Sequence, residues 1–235
     1  KSFGDFRAVA GVDFSIMPGE SFGFLGPNGA GKTSTMKMIS SVSTPSSGDL
    51  TIFGLDPATH GPEIRSRLGV VPQDDTLELE LTVLDNLMLG RYRHQRSGVL
   101  SQALFTPAVR REKLADRRKV EEVIDFLDLQ AHRDSLIASL PYGVRKVVEL
   151  ARALSTEPQL LLLDEPTASL DPHAKRDVER LVQDLRNNVA NGVALVVTRH
   201  HDGQFEVLDH PNNSQWGLAQ NVLSKLSTVI ALFNS

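Results

Sequence analysis

The chain has 235 residues, no cysteine and a formal net charge of −4. That length fits one large α/β domain, or a core with an inserted subdomain, and it allows a substantial buried core. The lack of cysteine excludes disulfides, cysteine catalysis and thiolate metal sites, and the mild acidity gives no reason to expect nucleic acid as a partner. No apolar run approaches the ~20 residues needed to span a bilayer, and no secretory leader is visible. The cytoplasm is therefore the default expectation, and a start at Lys1 without methionine points to a fragment or a trimmed chain.

The apolar run Phe22-Gly23-Phe24-Leu25 reads as a buried strand, and Ser34 to Ile39 reads as a helix. Between them stands Gly26-Pro27-Asn28-Gly29-Ala30-Gly31-Lys32-Thr33. Strand, glycine-rich turn and helix is the context of a phosphate-binding loop. Glycines let backbone N–H groups converge on phosphate oxygens, and the helix start adds free donors and a positive dipole end. Lys32 is expected to reach β- and γ-phosphates, and the Thr33 hydroxyl to ligate Mg²⁺. This segment predicts a nucleoside triphosphate site. Further on, Gly48 to Gly54 and Leu68 to Pro72 are short apolar runs bounded by breakers, as strands are.

From about 75 to 140 the period becomes helical. Thr82 with Asp85 resembles a capping box for a helix over Leu84–Leu89, and Val120, Val123, Ile124 and Leu127 make an apolar stripe on a charged helix. Residues 91–119 hold nine Lys or Arg against Glu112 and Asp116, a local +7 that leaves −11 for the remainder. Such a stretch is either a solvated face or a surface for anionic lipid headgroups or an acidic partner; its Ser97-Gly98 suggests a loop. The strand signal returns at Leu160 to Leu163, which ends in Asp164-Glu165-Pro166. Its carboxylates arrive at a strand's C-terminal edge, where α/β sheets bind ligands. Asp164 is placed to hold Mg²⁺ and Glu165 to orient or deprotonate water; the bland alternative is a strand end with helix-capping acids. Asp171-Pro172 starts a helix with Val178, Leu181, Val182 and Leu185 as its stripe. Val193 to Thr198 is another strand, and apolar residues recur at helical spacing from Ala219 to Phe233.

With Leu140-Pro141-Tyr142-Gly143-Val144 directly before the carboxylate strand, residues 1–202 resemble the ATP-binding subunits of ABC transporters. The resemblance implies a P-loop NTPase (RecA-like) α/β core with a small antiparallel β part and an inserted helical subdomain. The single domain would cover 1–235, with a core of about 1–73 and 147–235 and a helical subdomain of about 74–146. It implies that Gly26 to Thr33, continued by Ser34, is the Walker A motif and Leu160 to Glu165 the Walker B strand with its catalytic glutamate. Gln73 falls where the family's Q-loop glutamine touches Mg²⁺ and water, Phe3 where an aromatic stacks on adenine, and Ser169-Leu170-Asp171 at the D-loop. Leu140 to Val144 takes the signature position, with Gly143 facing a partner subunit's γ-phosphate.

Three departures accompany the match. The signature serine is Pro141 and its first glycine Tyr142; Pro141 offers neither a hydroxyl nor an N–H. A Tyr-Gly signature resembles branched-chain amino-acid importers, whereas the N-terminal third resembles drug and polysaccharide exporters. The switch histidine is His200 or His201, the latter matching a His-Asp pair with Asp202. Beyond residue 203 the chain leaves the family pattern. The implied function is an ATPase using ATP and Mg²⁺ that energises a separate permease, paired with a second identical or different cassette, peripheral on the cytoplasmic face of the membrane. The alternatives are a nucleotide-binding module impaired in hydrolysis and a soluble ABC ATPase unconnected with transport.

Overall fold

The computed structural model describes residues 1–94, 106–188, 193–200 and 206–208. It divides into two compact units: 1–73 with the chain from Pro158 onward, and Asp74–Glu157.

The first unit opens with a two-stranded antiparallel hairpin, β1 (Ser2–Phe3) and β2 (Phe6–Arg7). β3 (Ser21–Gly26) leads into helix α1 (Lys32–Ile39). Helix α2 (Pro57–Arg65), capped by Asp56 Oδ1 accepting from the Ala58 N–H at 2.8 Å, precedes β4 (Leu68–Val71). Gly48 to Gly54 does not form the expected strand. Ile52 and Leu55 exchange two backbone bonds of 2.9 Å across a turn, with Phe53 and Gly54 at φ 54° and 75°. The chain reverses before a second pair can form.

The second unit begins at Asp74 and holds helices α3 (Val83–Arg91), α4 (Pro107–Phe126) and α5 (Tyr142–Ser155). The Thr82 hydroxyl donates to Asp85 Oδ2 at 2.6 Å and accepts the Asp85 N–H at 3.1 Å, fixing the start of α3 as its sequence predicts. Gly90 lets α3 lie against α5: a Cβ there would stand 2.8 Å from the Arg152 carbonyl oxygen. Arg91, buried, donates to Asp116 (2.9 Å), Glu157 (2.8 Å) and the Ser155 carbonyl (3.0 Å). Burial acts to raise the Glu157 pKa, but the hydrogen bond and charge of Arg91 prevail and hold it below the ordinary range. This packing keeps α5 with α3 and α4, so the helical unit runs on to 157, where 146 was expected.

The chain then returns to the first unit as β5 (Leu160–Asp164), helix α6 (Pro172–Asn188), β6 (Ala194–His200) and β7 (Glu206–Leu208). Asp171 Oδ1 caps α6 by accepting the His173 and Ala174 N–H groups at 2.9 and 3.2 Å. The sheet order is β4-β5-β6-β3-β7, parallel except for β7. Phe22 and Phe24 pack with Met36 and Ile39 of α1 and Ile64 of α2 on one face of the strands. Leu161, Leu163, Leu195 and Val197 point the other way and are also buried. A parallel sheet buried on both faces explains why its strands read as unbroken apolar runs. The expected loop at Ser97-Gly98 and the expected helix from Gln215 lie outside the described residues.

Candidate functional site

The turn from β3 to α1 is shaped by two glycines in the left-handed region, Gly29 at φ 81° and Gly31 at φ 94°. At Gly31 space is lacking as well. A Cβ there would lie 2.5 Å from the Ala8 carbonyl oxygen and 2.9 Å from Val9 Cγ2, and backbone cannot swing aside. Gly31 is the N-cap of α1 and supplies no side-chain cap, and no acid stands in the helix's first turn. The helix start is left to attract an anion. Thr33 is exposed and Ser34 half-buried at this start, while Thr35 is buried and bonds back to the Gly31 carbonyl.

The register of the sheet brings the second motif to the first. β6 lies between β3 and β5, with Gly26 opposite His200 and Asp164 opposite Thr198. From the start of α1, Lys32 reaches across to Glu165, with Nζ 3.1 Å from Oε1. The same ammonium donates to the Gly26 and Pro27 carbonyls at 2.7 and 3.0 Å, and its side chain is 5% exposed. One carboxylate and two loop carbonyls supply the partners that a buried cation requires.

Thr198, fully buried, fixes the carboxylate side of the site. Its hydroxyl donates to Asp164 Oδ1 and accepts the Glu165 N–H at 2.9 Å. Glu165 sits at φ 48°, a left-handed conformation uncommon for a residue with a Cβ. Sequence reasoning missed Thr198. The signal was a hydroxyl closing the apolar run Val193 to Val197, where a buried polar group needs a partner.

Thr33, Asp164 and Gln73 offer hydroxyl, carboxylate and amide oxygens, a set that suits a hard divalent cation. Among the described residues no three His, Asp or Glu cluster to hold a metal by themselves.

The remaining candidates lie elsewhere along the chain. Gln73 is exposed and ends the first segment of the first unit. Phe3 lies in β1, 54% exposed, with Lys1 Nζ 5.0 Å from its ring centre. His200 ends β6; His201 lies outside the described residues. Gly143 is the second residue of α5 in the other unit, half-buried. Pro141 is the N-cap there, so α5 also begins without a side-chain cap or an acid in its first turn. Within that unit, the buried Lys146–Glu149 pair (2.8 Å) leaves Glu149 Oε1 to accept the Thr76 N–H at 2.7 Å. Arg152 donates to the Thr76 carbonyl at 2.8 Å and Arg145 pairs with Asp75 at 3.3 Å. The residues just after Gln73 are thereby tied to α5.

A profile described as ABC transporter matches residues 9–168. Nod factor export ATP-binding protein I of Rhizobium meliloti (strain 1021) is 38% identical over 206 residues, which cover 85% of this chain and 54% of that protein. Its namesake in Cupriavidus metallidurans is 35% identical over 210 residues, covering 88% and 63%. This chain thus spans less than two thirds of either relative. A nucleotide-free ATP-binding cassette from an ABC transporter superposes with TM-score 0.68 at 25% identity, covering 95% of this chain and 92% of that one. A dimeric cassette in a post-hydrolysis state, bound to ADP and Pi, gives 0.66 at 25% identity, covering 83% and 80%. The expected P-loop NTPase fold is that of these cassettes. Taken with the glycine-shaped loop, its lysine and the Asp164-Glu165 strand end, these matches show that the chain belongs to the ABC transporter family.

Proposed function

We propose that this chain binds ATP with Mg²⁺ and hydrolyses it as the ATP-binding subunit of an ABC transporter, energising a separate permease. The observation that carries the proposal is the Lys32–Glu165 contact of 3.1 Å, which joins the phosphate loop to the end of the carboxylate strand. Gly26 to Gly31 would cradle the phosphates, with Ser34 at the helix start and Phe3 against the adenine. Phosphate oxygens compete with Glu165 for the Lys32 ammonium, so binding frees the Glu165 carboxylate to orient the attacking water. Thr198 keeps Asp164 aimed while that exchange occurs. Thr33, Asp164 and Gln73 would hold Mg²⁺, which when bound neutralises charge on the transferring phosphoryl group. Of the two histidines, His201 takes the γ-phosphate role, since it precedes Asp202. Gly143 would meet the phosphate held by a second cassette, identical or not.

Both relatives are named for export. This supports export over the import that the Tyr-Gly signature suggests. The proposed location is peripheral, on the cytoplasmic face of the membrane; among the described residues no helix is long and apolar enough to cross it. A second reading, a module that binds nucleotide without turning it over, is favoured by Pro141, which gives α5 no hydroxyl at its cap.

The test is nucleotide affinity and steady-state turnover of two variants. Lys32→Ala is expected to lose tight ATP binding. Glu165→Gln is expected to keep binding while hydrolysis falls ~10²–10⁴-fold. Unchanged affinity in the first, or turnover within a few-fold of the parent in the second, removes the role assigned to that residue. A parent that binds ATP without hydrolysing it selects the second reading. In the same assay His201→Ala should be slower than His200→Ala, and the reverse order would reassign the switch.

A further inference from the structure

Thr198 stands directly opposite Asp164 in the parallel ladder of β5 and β6, and its hydroxyl lies between two groups of fixed character. The Glu165 N–H can only donate, so Thr198 Oγ1 accepts there, at 2.9 Å. The single hydroxyl proton is thereby directed to Asp164 Oδ1, which accepts it. Thr198 is fully buried, so no solvent water competes for its hydroxyl. A hydrogen bond to a charged acceptor in such surroundings is strong. The result is an asymmetric carboxylate. Oδ1 of Asp164 is committed to the protein, while Oδ2 makes no hydrogen bond among the described residues.

The other donors of the site are equally single. Thr33 offers one hydroxyl and Gln73 one amide oxygen. The second acid, Glu165, has Oε1 paired with Lys32 at 3.1 Å. Its backbone is pinned on both sides, the N–H by Thr198 and the carbonyl by the Ala168 N–H at 2.9 Å. That pinning holds Glu165 at φ 48°, a conformation that surrounding structure must impose on a residue with a Cβ. Neither acid has both oxygens at liberty.

We infer that Thr198 selects the cation of this site: by holding Asp164 Oδ1 it makes the site favour Mg²⁺ over Ca²⁺. This rests on the proposed binding of ATP with a divalent cation, and it names what sets the choice of metal. Ca²⁺ takes about six to eight oxygens in flexible geometry and readily accepts a carboxylate through both of its oxygens. Mg²⁺ demands near-ideal octahedral geometry, which the narrow bite of a chelating carboxylate does not satisfy, so it takes one oxygen. To chelate, Asp164 would have to turn its carboxylate and break the bond from Thr198. Ca²⁺ therefore costs a buried hydrogen bond that Mg²⁺ leaves intact. Thr198 acts through Asp164 and is a positioning residue.

The experiment is calorimetric ATP affinity of the parent, Thr198→Val and Thr198→Ser, each in Mg²⁺, in Ca²⁺ and in EDTA. Binding is the readout because loss of the hydroxyl also loosens Glu165 and slows hydrolysis with either metal. The parent should bind ATP more tightly with Mg²⁺ than with Ca²⁺. Thr198→Val keeps the shape without the hydroxyl, and the Mg²⁺-to-Ca²⁺ ratio should fall on the order of 10-fold, the scale of one hydrogen bond to a charged group. Affinity in EDTA should match the parent's, since Lys32 and its loop are unaltered. Thr198→Ser should restore the parent's ratio. Where valine prevents folding, Thr198→Cys, whose thiol is a weak donor, should give an intermediate ratio. A parent indifferent to the metal, an unchanged ratio in Thr198→Val or Thr198→Cys, or a serine variant that behaves as the valine one would each overturn the selection. Affinity lowered by one factor in all three conditions would mark a merely structural role and overturn it as well. A parent that binds ATP in none of the three conditions would instead overturn the proposed function, on which the selection stands.

Discussion

The helices α1 and α5 both begin without a side-chain cap, while α2, α3, α4 and α6 are capped by Asp56, Thr82, Thr106 and Asp171. These are the two helices whose starts the proposal directs at phosphate. They are built differently. The α1 start is preceded by a loop in which Gly29 and Gly31 hold left-handed conformations, and Gly31 is pressed against the Ala8 carbonyl. Its shape is fixed by backbone, and a buried lysine adds a full charge beside it. The α5 start is a proline at φ −55° and ψ 147°, an ordinary entry to a helix with no loop wrapped before it. As proposed, the first site binds an anion by itself. The other offers only a helix end, which contributes once a phosphate is already held elsewhere.

If that contrast is right, the glycines at the two sites should fail in different ways. The largest effect is expected for Gly31→Ala. The new Cβ meets a backbone oxygen at 2.5 Å, and the residue must keep φ 94°. Strain of about 1–3 kcal/mol should lower stability, with roughly 2–4 °C of melting temperature lost per kcal/mol in a domain of this size. ATP affinity should fall in parallel, at least ~10-fold. Thermal unfolding with and without ATP checks it; parental stability and affinity together would show that the loop tolerates a side chain.

Gly143→Asp should behave in the opposite sense. An acid in the first turn of α5 favours the helix by about 0.3–1 kcal/mol, so the melting temperature should hold or rise slightly. Monomer ATP affinity should be unchanged, while turnover at high protein concentration falls, since the new carboxylate repels a partner-held phosphate. Turnover equal to the parent's across a range of protein concentration would refute a role for α5 in a two-cassette site.

The smallest effect is expected for Pro141→Ser. Serine at an N-cap accepts a bond from the following amides and stabilises a helix by about 0.5–2 kcal/mol. Stability should therefore increase modestly, with turnover within a few-fold of the parent or above it. A large gain from an inactive parent would mean that proline at this cap disables hydrolysis, which favours the non-hydrolysing reading.

The phosphate loop, the four-leucine strand with its terminal acids and the Thr82 cap were legible because each is a local arrangement. Glycine spacing, apolar run length and a cap-to-N3 interval depend on neighbouring residues alone. The Gly48 to Gly54 segment misled because strand identity depends on a pairing partner, and a turn at Phe53-Gly54 removed it. Helix α2 went unread because Gly61 and Pro62 interrupt its pattern, and the hairpin of β1 and β2 is too short to show alternation. The limits of the helical unit were likewise hidden, since Arg91 reaches Asp116 and Glu157 across long stretches of sequence.

The sequence by itself determined which residues are proposed to carry the chemistry: glycines that free a backbone, a lysine and threonine at a helix start, and two acids after a buried strand. Tertiary structure alone decided how they meet. The strand order β5-β6-β3 sets Thr198 opposite Asp164 and lets Lys32 cross to Glu165, residues 133 positions apart in the chain. No local pattern encodes a strand order, because hydrogen bonds between parallel strands form only after long connections have closed. The Ala8 carbonyl that makes Gly31 obligatory is also invisible to local reading, since its position follows from how the chain folds back onto the loop.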